Sequence, residues 1–263
     1  MERDLAETFD LMVAPNGARL TKSNHPAVPL TAAELAETAR ACAEAGAGAI
    51  HLHVRDEAGR HSLDAALYRA AIAAISAQSG IGIQISTEAV GRFSVGEQIG
   101  CIRDIRAPDV SIALREVLRE PDRLAEAYET ARRAGSDVQH ILYSPEDLRM
   151  LRQCYDDGAV PGDFNRVLFV LGRYSESRTA EPEDLRPFLN ELADDPLHWS
   201  TCAFGRHEQA CLLAAIREGG HARIGFENNT LAPDGHPFRD NAEAVGALVD
   251  AAAREGFKPR QVG

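Results

Sequence analysis

Strand-like and helix-like segments alternate along this chain, and the alternation constrains its fold more than any other feature. Short apolar runs rich in β-branched residues are each followed by a longer segment of helical periodicity, rich in Ala, Leu, Glu and Arg. The strand-like runs lie at residues 9–15, 48–54, 81–87, 109–114, 137–143, 166–172, 198–204 and 221–226. The helical segments lie at residues 31–46, 64–79, 94–106, 121–134, 145–157, 181–192, 207–219 and 240–255. The pattern predicts eight strand–helix units.

Eight such units in 263 residues match the count and size of a (β/α)8 TIM barrel. No linker or change in composition divides the chain, so we expect one α/β barrel domain over residues 1–263. A doubly wound open sheet has the same alternation. That fold commonly binds nucleotides through GxGxxG after the first strand or through GxxxxGK[ST], and the sequence has neither, which favours the barrel.

Charge and cysteine content restrict the partners and the compartment. A formal net charge of −12 disfavours nucleic acid and anionic membranes as partners, because both require a broad basic surface. The five cysteines include no CxxC pair, which is typical of reduced thiols. The N-terminal MERDLAETFD lacks the apolar core of a signal peptide, and no run of about 18 apolar residues could span a membrane. We therefore expect a cytoplasmic protein with a small-molecule partner.

Polar side chains concentrate where the predicted strands end and the loops before the helices begin. In a barrel these ends form one mouth, which is where active sites lie. The opposite strand ends, at residues 48, 82, 109 and 137, show no comparable concentration of functional groups. The mouth residues are Asn16, Arg19, Lys22, His51, His53, Arg55, Asp56, Ser86, Thr87, Glu88, Ser111, Arg115, Glu116, Arg173, Arg206, Arg223, Glu227, Asn228 and Asn229.

His51 and His53 are two positions apart in the second predicted strand, GAIHLHV. Side chains at this spacing share a face and lie about 6.6 Å apart along the strand, so both imidazoles can reach one ion. Taken alone, the spacing favours a hydrogen-bonded pair over a metal site. Glu227, at the end of the eighth predicted strand, supplies a third ligand at the same mouth. Two histidines and a carboxylate with an open fourth position form a catalytic Zn²⁺ site.

Arg223 shares a strand face with residues 221 and 225 and is predicted to point into the barrel. A buried arginine is costly unless it meets an anion, so Arg223 predicts an anionic ligand or partner. Ser86 and Thr87 could bind a substrate or cap the next helix. No GxSxG motif and no Ser/His/Asp order supports a serine nucleophile.

Several segments together resemble the β-keto acid cleavage enzymes: APNGARLTKSNHPAVPLT, HLHVRD with GRHSLD, QISTEAVG and ARIGFENN. The resemblance extends from about residue 10 to about residue 250. It implies a (β/α)8 barrel with one Zn²⁺ per chain, and an acyltransferase that condenses a β-keto acid with acetyl-CoA to give acetoacetate and a new acyl-CoA. It also implies a homo-oligomer, a tetramer in this family.

The resemblance assigns roles to individual residues. The metal ligands of the family correspond to His51, His53 and Glu227. Its catalytic serine and arginine correspond to Ser86 and Arg223, which would hold the substrate carboxylate and developing oxyanions. A substrate-contacting hydroxyl on the fourth strand corresponds to Ser111 through a one-residue gap.

The sequence departs from the family pattern at two positions. The residue after the metal-binding glutamate is an aspartate in the family and supports the catalytic arginine in proton transfer, whereas here it is Asn228, which cannot accept a proton. Either another group takes that role, with Glu88 as a candidate, or the chemistry is slower or different. Arg19 stands where the member that recognises an amine has a glutamate, so we hypothesise a substrate with an acidic or polar tail.

Two other functions remain open from the sequence. A metal-dependent hydrolase of the amidohydrolase type also uses HxH, but on the first strand and with further histidines at the mouth. The second alternative is a zinc-bearing barrel that binds its ligand without turnover, and Asn228 is the feature that favours it.

Overall fold

The structure, a computed structural model, describes residues 7–173 and 179–260. Eight parallel strands form a closed barrel in which successive barrel strands pair side by side and the last pairs with the first. The strands are β1 (Thr8–Phe9), β2 (Leu11–Val13), β3 (Ala49–Leu52), β4 (Val54–Arg55), β5 (His61–Ser62), β6 (Gly82–Ser86), β7 (Asp109–Ala113), β8 (Asp137–Leu142), β9 (Arg166–Leu171), β10 (His198–Ala203), β11 (His221–Ile224) and β12 (Lys258–Pro259). The barrel consists of β2, β3 and β6 to β11. The predicted (β/α)8 barrel is confirmed.

Helices follow the barrel strands at the predicted places. They are α1 (Ala32–Glu44), α2 (Ala65–Ser76), α3 (Val95–Ile105), α4 (Leu114–Val117), α5 (Leu124–Ala134), α6 (Pro145–Asp156), α7 (Arg186–Leu192), α8 (Glu208–Arg217) and α9 (Asn241–Ala253). The predicted helices at 121–134 and 181–192 each begin as a 3₁₀ turn, Pro121–Arg123 and Pro182–Leu185. Proline fits such a first turn because it has no N–H to donate. The short α4 directly after β7 was not predicted.

Two pairs of short strands lie outside the barrel. β1 pairs with β12 in parallel, which joins the beginning of the described chain to its end. β4 and β5 form an antiparallel pair at the mouth, with Arg55 opposite His61. The sequence predicts that His53 lies within one long strand, residues 48–54. In the structure it lies instead between β3 and β4. The same pairing brings His61 close to His53.

The barrel interior divides into polar and apolar regions. Ala113, Ile141, Leu168, Val170 and Cys202 form an apolar cluster on β7 to β10. The buried side chains of Gln84 and Gln139 lie across the middle, where Gln84 Nε2 donates to Gln139 Oε1 at 3.2 Å.

All five cysteines are buried and none forms a disulfide, as the spacing predicted. Within residues 7–173 and 179–260, no helix is both long and apolar enough to cross a membrane.

Candidate active site

His51, His53 and Glu227 converge at the mouth of the barrel. The two Nε2 atoms are 3.1 Å apart, and Glu227 Oε2 lies 3.9 Å from that of His51 and 3.8 Å from that of His53. Both histidines are buried, and the Glu227 side chain is 13% exposed. The three predicted metal ligands thus present their donor atoms to one point.

Gln84 determines which nitrogen of His51 carries the proton. Its Nε2 donates to Asp109 Oδ1 and to Gln139 Oε1, both at 3.2 Å, so its carbonyl oxygen faces His51 Nδ1 at 2.7 Å. A carbonyl oxygen only accepts, so the neutral His51 ring donates from Nδ1 and carries a free lone pair on Nε2.

A second chain of hydrogen bonds determines the state of His53. His61 Nε2 lies 2.9 Å from the backbone carbonyl of Glu88 and must donate to it. The other nitrogen of a neutral His61 then accepts from His53 Nδ1, which is 3.4 Å away. The lone pair of His53 is therefore also on Nε2.

These two tautomers leave two lone pairs facing each other beside a carboxylate. Burial lowers the pKa of His51 to about 4 and that of His53 well below its usual value, so a proton does not bridge the rings at neutral pH. Glu227 Oε2 is buried without a hydrogen-bond partner among the described residues. A divalent cation would relieve this repulsion, and two histidines with one carboxylate suit Zn²⁺.

A second group of potential ligands, Asp10, His198 and His221, does not have this geometry. The rings of His198 and His221 stack at 4.1 Å with an interplanar angle of 24°, so their in-plane lone pairs run side by side. The backbone N–H of Asp10 donates to His221 Nδ1 at 3.0 Å, and His198 Nε2 lies 3.1 Å from Asp10 Oδ2. This group forms a hydrogen-bonded cluster rather than a metal site.

Tight backbone packing fixes Glu227. Gly17 has φ +54°, and a Cβ on it would lie 2.5 Å from Glu227 Cγ. Gly225 has φ +139°, and a Cβ there would lie 2.5 Å from the backbone oxygen of Ala14. The N–H of Gly225 donates to the buried carboxyl of Glu208 at 3.2 Å. Burial raises the pKa of Glu208 well above its usual value, and the Gly225 and Asn229 contacts oppose that rise.

Arg55 fixes the loop that carries Gly17. Its guanidinium donates to the backbone carbonyls of Asn16, Gly17 and Leu20, which holds the loop in a curve around one cation. The Asn16 side chain donates in turn to the backbone carbonyl of His53 at 3.1 Å. The first loop and the histidine segment are therefore locked together.

Two connected cavities open at this mouth. The inner pocket has a volume of about 30 Å³, room for about two water molecules. The outer cleft has a volume of about 640 Å³. Among the predicted site residues, the inner pocket is lined by His51, His53, Ser86, Glu88, Ser111, Arg223 and Glu227. Arg19 and Asn228 line the outer cleft instead, where Glu88 and Glu227 also contribute.

Arg223 is 4% exposed and lies against Glu227. Its Nη2 is 3.6 Å from Glu227 Oε1 and 3.5 Å from Cys202 Sγ. Its Nε and Nη1 are buried without a partner among the described residues. A buried guanidinium with two unsatisfied donors in a pocket is suited to bind an anion.

Ser86 and Ser111 are paired neighbours on β6 and β7, and both line the inner pocket. Ser86 Oγ accepts from the backbone N–H of Glu88 at 3.2 Å. Its O–H is oriented by that contact and can donate to a ligand in the pocket.

Glu88 lies between two arginines from different loops. Its Oε1 is 3.0 Å from Arg19 Nη1 and 3.3 Å from Arg173 Nη2. Burial, with a smaller contribution from Glu227, nevertheless raises the pKa of Glu88 to about 7. Its carboxyl can therefore gain or lose a proton near neutral pH.

The comparison with known proteins decides between the readings that the sequence left open. Residues 10–262 match the family described as beta-keto acid cleavage enzyme. The chain belongs to this family. The predicted resemblance is confirmed, and with it the prediction of an enzyme that acts on β-keto acids rather than an amidohydrolase.

Members of the family with assigned reactions resemble this chain over most of its length. A 3-keto-5-aminohexanoate cleavage enzyme of Fusobacterium nucleatum is 28% identical over 270 residues, covering 96% of this chain and 94% of the relative. A 3-oxoadipate:acetyl-CoA acetyltransferase of Cupriavidus necator is 28% identical over 244 residues, covering 85% and 83%.

Solved structures share the barrel. The binary complex of ObcA with oxaloacetate aligns with a TM-score of 0.74 at 17% identity, covering 90% of this chain and 66% of that protein. This chain thus spans about two thirds of the length of that protein. At this identity the likeness shows the fold alone.

Three supporting residues of this family member were not predicted: Gln84, His61 and Glu208. Gln84 had a sequence signal, since it shares a strand face with Ser86 and is polar where an apolar residue is usual. His61 lies in the GRHSLD segment, but its contact with His53 depends on a hairpin too short to predict. Glu208 lies at the start of α8 and contacts Gly225 after β11. A contact of this kind between separate elements cannot be predicted from spacing along the chain.

Proposed function

We propose that this chain is a zinc-dependent β-keto acid cleavage enzyme that converts a β-keto acid and acetyl-CoA into acetoacetate and a new acyl-CoA. The observation that carries the zinc requirement is the pair of Nε2 lone pairs on His51 and His53, 3.1 Å apart beside the unpartnered Glu227 Oε2. The acetyl-CoA requirement is supported by the Cupriavidus necator relative, whose name specifies an acetyl-CoA acetyltransferase.

The chemistry is an exchange of acyl groups. The α-carbon of the keto acid loses a proton, and the resulting enolate attacks the thioester carbonyl of acetyl-CoA, which releases the CoA thiolate. The thiolate then attacks the original ketone, and the adjacent carbon–carbon bond breaks to give the new acyl-CoA and the carbanion of acetoacetate. That carbanion takes back the proton removed in the first step, which yields acetoacetate. His51, His53 and Glu227 would hold a zinc ion, which when bound would supply Lewis-acid polarisation to the keto acid.

The side chains around the inner pocket supply the remaining interactions. The unsatisfied donors of Arg223 are placed to bind the carboxylate of the substrate. They can also bind the oxyanion that develops at the reacting carbonyl group of the substrate. The Ser86 hydroxyl can donate to the thioester oxygen as it becomes negative, and Ser111 lies beside it to bind the keto acid. These groups stabilise charge that exists mainly in the transition state.

The proton acceptor differs from the family pattern. Asn228 cannot take a proton, although its amide nitrogen and oxygen are buried without partners in the described chain and could bind a ligand in the outer cleft. Glu88 lines the inner pocket, and its pKa of about 7 suits a general base at neutral pH. We therefore propose that Glu88 removes the proton from the α-carbon of the keto acid.

The outer cleft is the proposed site of acetyl-CoA. Its volume of about 640 Å³ suits a ligand of that kind, and Arg206 at its wall can meet a phosphate. A carboxamide such as that of Asn228 can pair with the amides of the pantetheine arm, which present both a donor and an acceptor.

The direct test measures acyl-CoA formation from acetyl-CoA and 3-oxoadipate by chromatography, before and after removal of zinc with a chelator. We expect one acetoacetate per acyl-CoA formed, loss of activity on chelation and recovery on addition of Zn²⁺. Undiminished exchange in chelated protein would refute the zinc requirement. Hydrolysis of acetyl-CoA without a new acyl-CoA would refute the reaction.

A further inference from the structure

Arg19, Glu88 and Arg173 form a group, here called the mouth triad, at the junction of the two cavities. Glu88 and Arg173 line both cavities, and Arg19 lines the outer one. Both arginines bind the same carboxylate oxygen, Glu88 Oε1, from loops that follow β2 and β9. The triad therefore joins two loops whose strands are not neighbours in the barrel.

The mouth triad also lies between the outer cleft and the inner pocket that contains the proposed metal ligands. The inner pocket, with its volume of about 30 Å³, is too small for a β-keto acid of six carbons. A substrate of that size therefore extends into the outer cleft past the lining residues that the two cavities share, of which the charged ones are Glu88, Arg173 and Glu227. Glu227 is fixed by close packing against Gly17, which leaves the mouth triad as the part that can rearrange.

The charge of the two cavities favours an anion. Their described lining includes four arginines and two glutamates, on a chain whose formal net charge is −12. The Glu88 side chain is 17% exposed, so its carboxylate gives up much of its hydration to contact the arginines. A substrate carboxylate in the same place would form the same charge-assisted hydrogen bonds with both arginines.

We propose that Glu88 occupies the place of a second carboxylate of the substrate, and that Arg19 and Arg173 bind that distal carboxylate when Glu88 is displaced. The substrate class is thus β-keto acids with a carboxylate at the far end of the acyl chain. Displacement also releases Glu88 from both arginines, which leaves its carboxylate free to accept the α-proton. This inference rests on the proposed function for the identity of the reacting end.

The test compares 3-oxoadipate with 3-oxohexanoate, which has the same chain length and a methyl group in place of the distal carboxylate. We expect the wild-type kcat/KM for 3-oxoadipate to exceed that for 3-oxohexanoate by about tenfold or more. Arg19→Ala and Arg173→Ala should each reduce this ratio by about tenfold. Arg133→Ala, which removes an exposed arginine paired with Glu129 on α5, is the control and should leave the ratio unchanged.

Equal use of the two keto acids by the wild type would overturn the inference. A second result would also overturn it: Arg19→Ala and Arg173→Ala lower kcat/KM by the same factor for both keto acids and raise the KM for acetyl-CoA. That outcome would assign the two arginines to the CoA phosphates.

Calorimetry on the zinc-loaded protein without acetyl-CoA separates this inference from the proposed function. Glu88→Gln removes the competing charge and should tighten binding of 3-oxoadipate several-fold, with little change for 3-oxohexanoate. Weaker binding of 3-oxoadipate by Glu88→Gln would contradict the displacement. If no keto acid is turned over but the binding preference persists and depends on Arg19, the proposed reaction fails and the carboxylate site stands.

Discussion

At the scale of single residues, the protonation of His51 depends on Gln84. The carbonyl oxygen of Gln84 lies 2.7 Å from His51 Nδ1 and keeps the proton of the ring on that nitrogen. Gln84 is held in this orientation by its donation to Asp109 and Gln139. Partners of this kind orient a metal ligand and raise its basicity.

We expect Gln84→Leu to lower zinc affinity by about 10- to 100-fold with all three ligands intact. The reason is that His51 loses the acceptor that selects its tautomer. Competition with a chromophoric zinc chelator measures the affinity. Gln78→Leu, at an exposed position after α2, is the matched control. Equal affinities for both variants and the wild type would show that Gln84 does not set the His51 tautomer.

Gly17 gives a second prediction at this scale. Gly17→Ala strains a backbone with φ +54° and also forces its Cβ to 2.5 Å from Glu227 Cγ. Gly158→Ala strains a similar backbone, φ +70°, but its Cβ meets nothing within 4 Å. Both variants should lose about 1 kcal/mol of unfolding free energy. We expect Gly17→Ala alone to lose zinc affinity, by about tenfold or more, and equal affinity in both would contradict the role of Gly17 in placing Glu227.

At the scale of elements, the turn after β11 depends on α8. Glu208 begins α8, accepts from Gly225 N–H at 3.2 Å and lies 3.4 Å from Asn229 Nδ2. The segment that contains Glu227 and Asn228 is therefore held from a neighbouring element as well as by its own backbone hydrogen bonds.

We expect Glu208→Ala to lower the free energy of unfolding by about 1–3 kcal/mol, because Gly225 N–H becomes an unsatisfied buried donor. Zinc affinity should fall as well, since the turn positions Glu227. Glu208→Gln keeps the volume and one acceptor and should lose less of both. Denaturant unfolding and zinc titration check this, and wild-type values for Glu208→Ala would contradict it.

The order of the elements was predictable because a strand–helix alternation of eight units admits few closed arrangements. The ligand set was predictable because His51 and His53 are close in sequence and Glu227 ends a barrel strand. The β4–β5 hairpin and α4 were not predictable, because elements of two to four residues have too little periodicity. The His61 and Glu208 contacts depend on those short elements or on tertiary packing.

At the scale of the whole molecule, a buried histidine links the barrel wall to the helices around it. His140 on β8 donates from Nε2 to the carbonyl of Phe164 at 2.8 Å, and its Nδ1 accepts from the hydroxyl of Tyr128 on α5 at 2.9 Å. Burial lowers the pKa of His140 to about 4, although the Phe164 contact opposes this. The folded protein therefore holds His140 neutral at every pH above about 4.

This gives a pH dependence of known sign. A histidine in the unfolded chain has a pKa of about 6.5. The contribution of His140 to stability is thus full above pH 6.5 and is lost as the pH falls toward 4, because the unfolded state takes up the proton first. His140→Gln retains a donor and an acceptor and does not titrate. The difference in unfolding free energy between wild type and His140→Gln should therefore become about 2 kcal/mol less favourable to wild type from pH 7 to pH 5. Denaturant unfolding measures this difference, and a value that does not change with pH would contradict the prediction.

The predicted extent of the barrel as one domain over residues 1–263 and the predicted homotetramer remain predictions. Sedimentation velocity measures the second directly for a chain of 28.5 kDa. A species of four chains is the expected result, and a monomer at micromolar concentration would contradict it.

We predict that one zinc ion binds between His51, His53 and Glu227. An anomalous difference map recorded at the zinc absorption edge, on crystals of protein purified without chelator, tests it most directly. We predict one peak per chain about 2.0–2.2 Å from the two Nε2 atoms and a carboxylate oxygen of Glu227. The peak should be absent in His53→Ala crystals. A peak at Asp10, His198 and His221 instead, or no peak at the mouth of a protein that exchanges acyl groups, would contradict the claim.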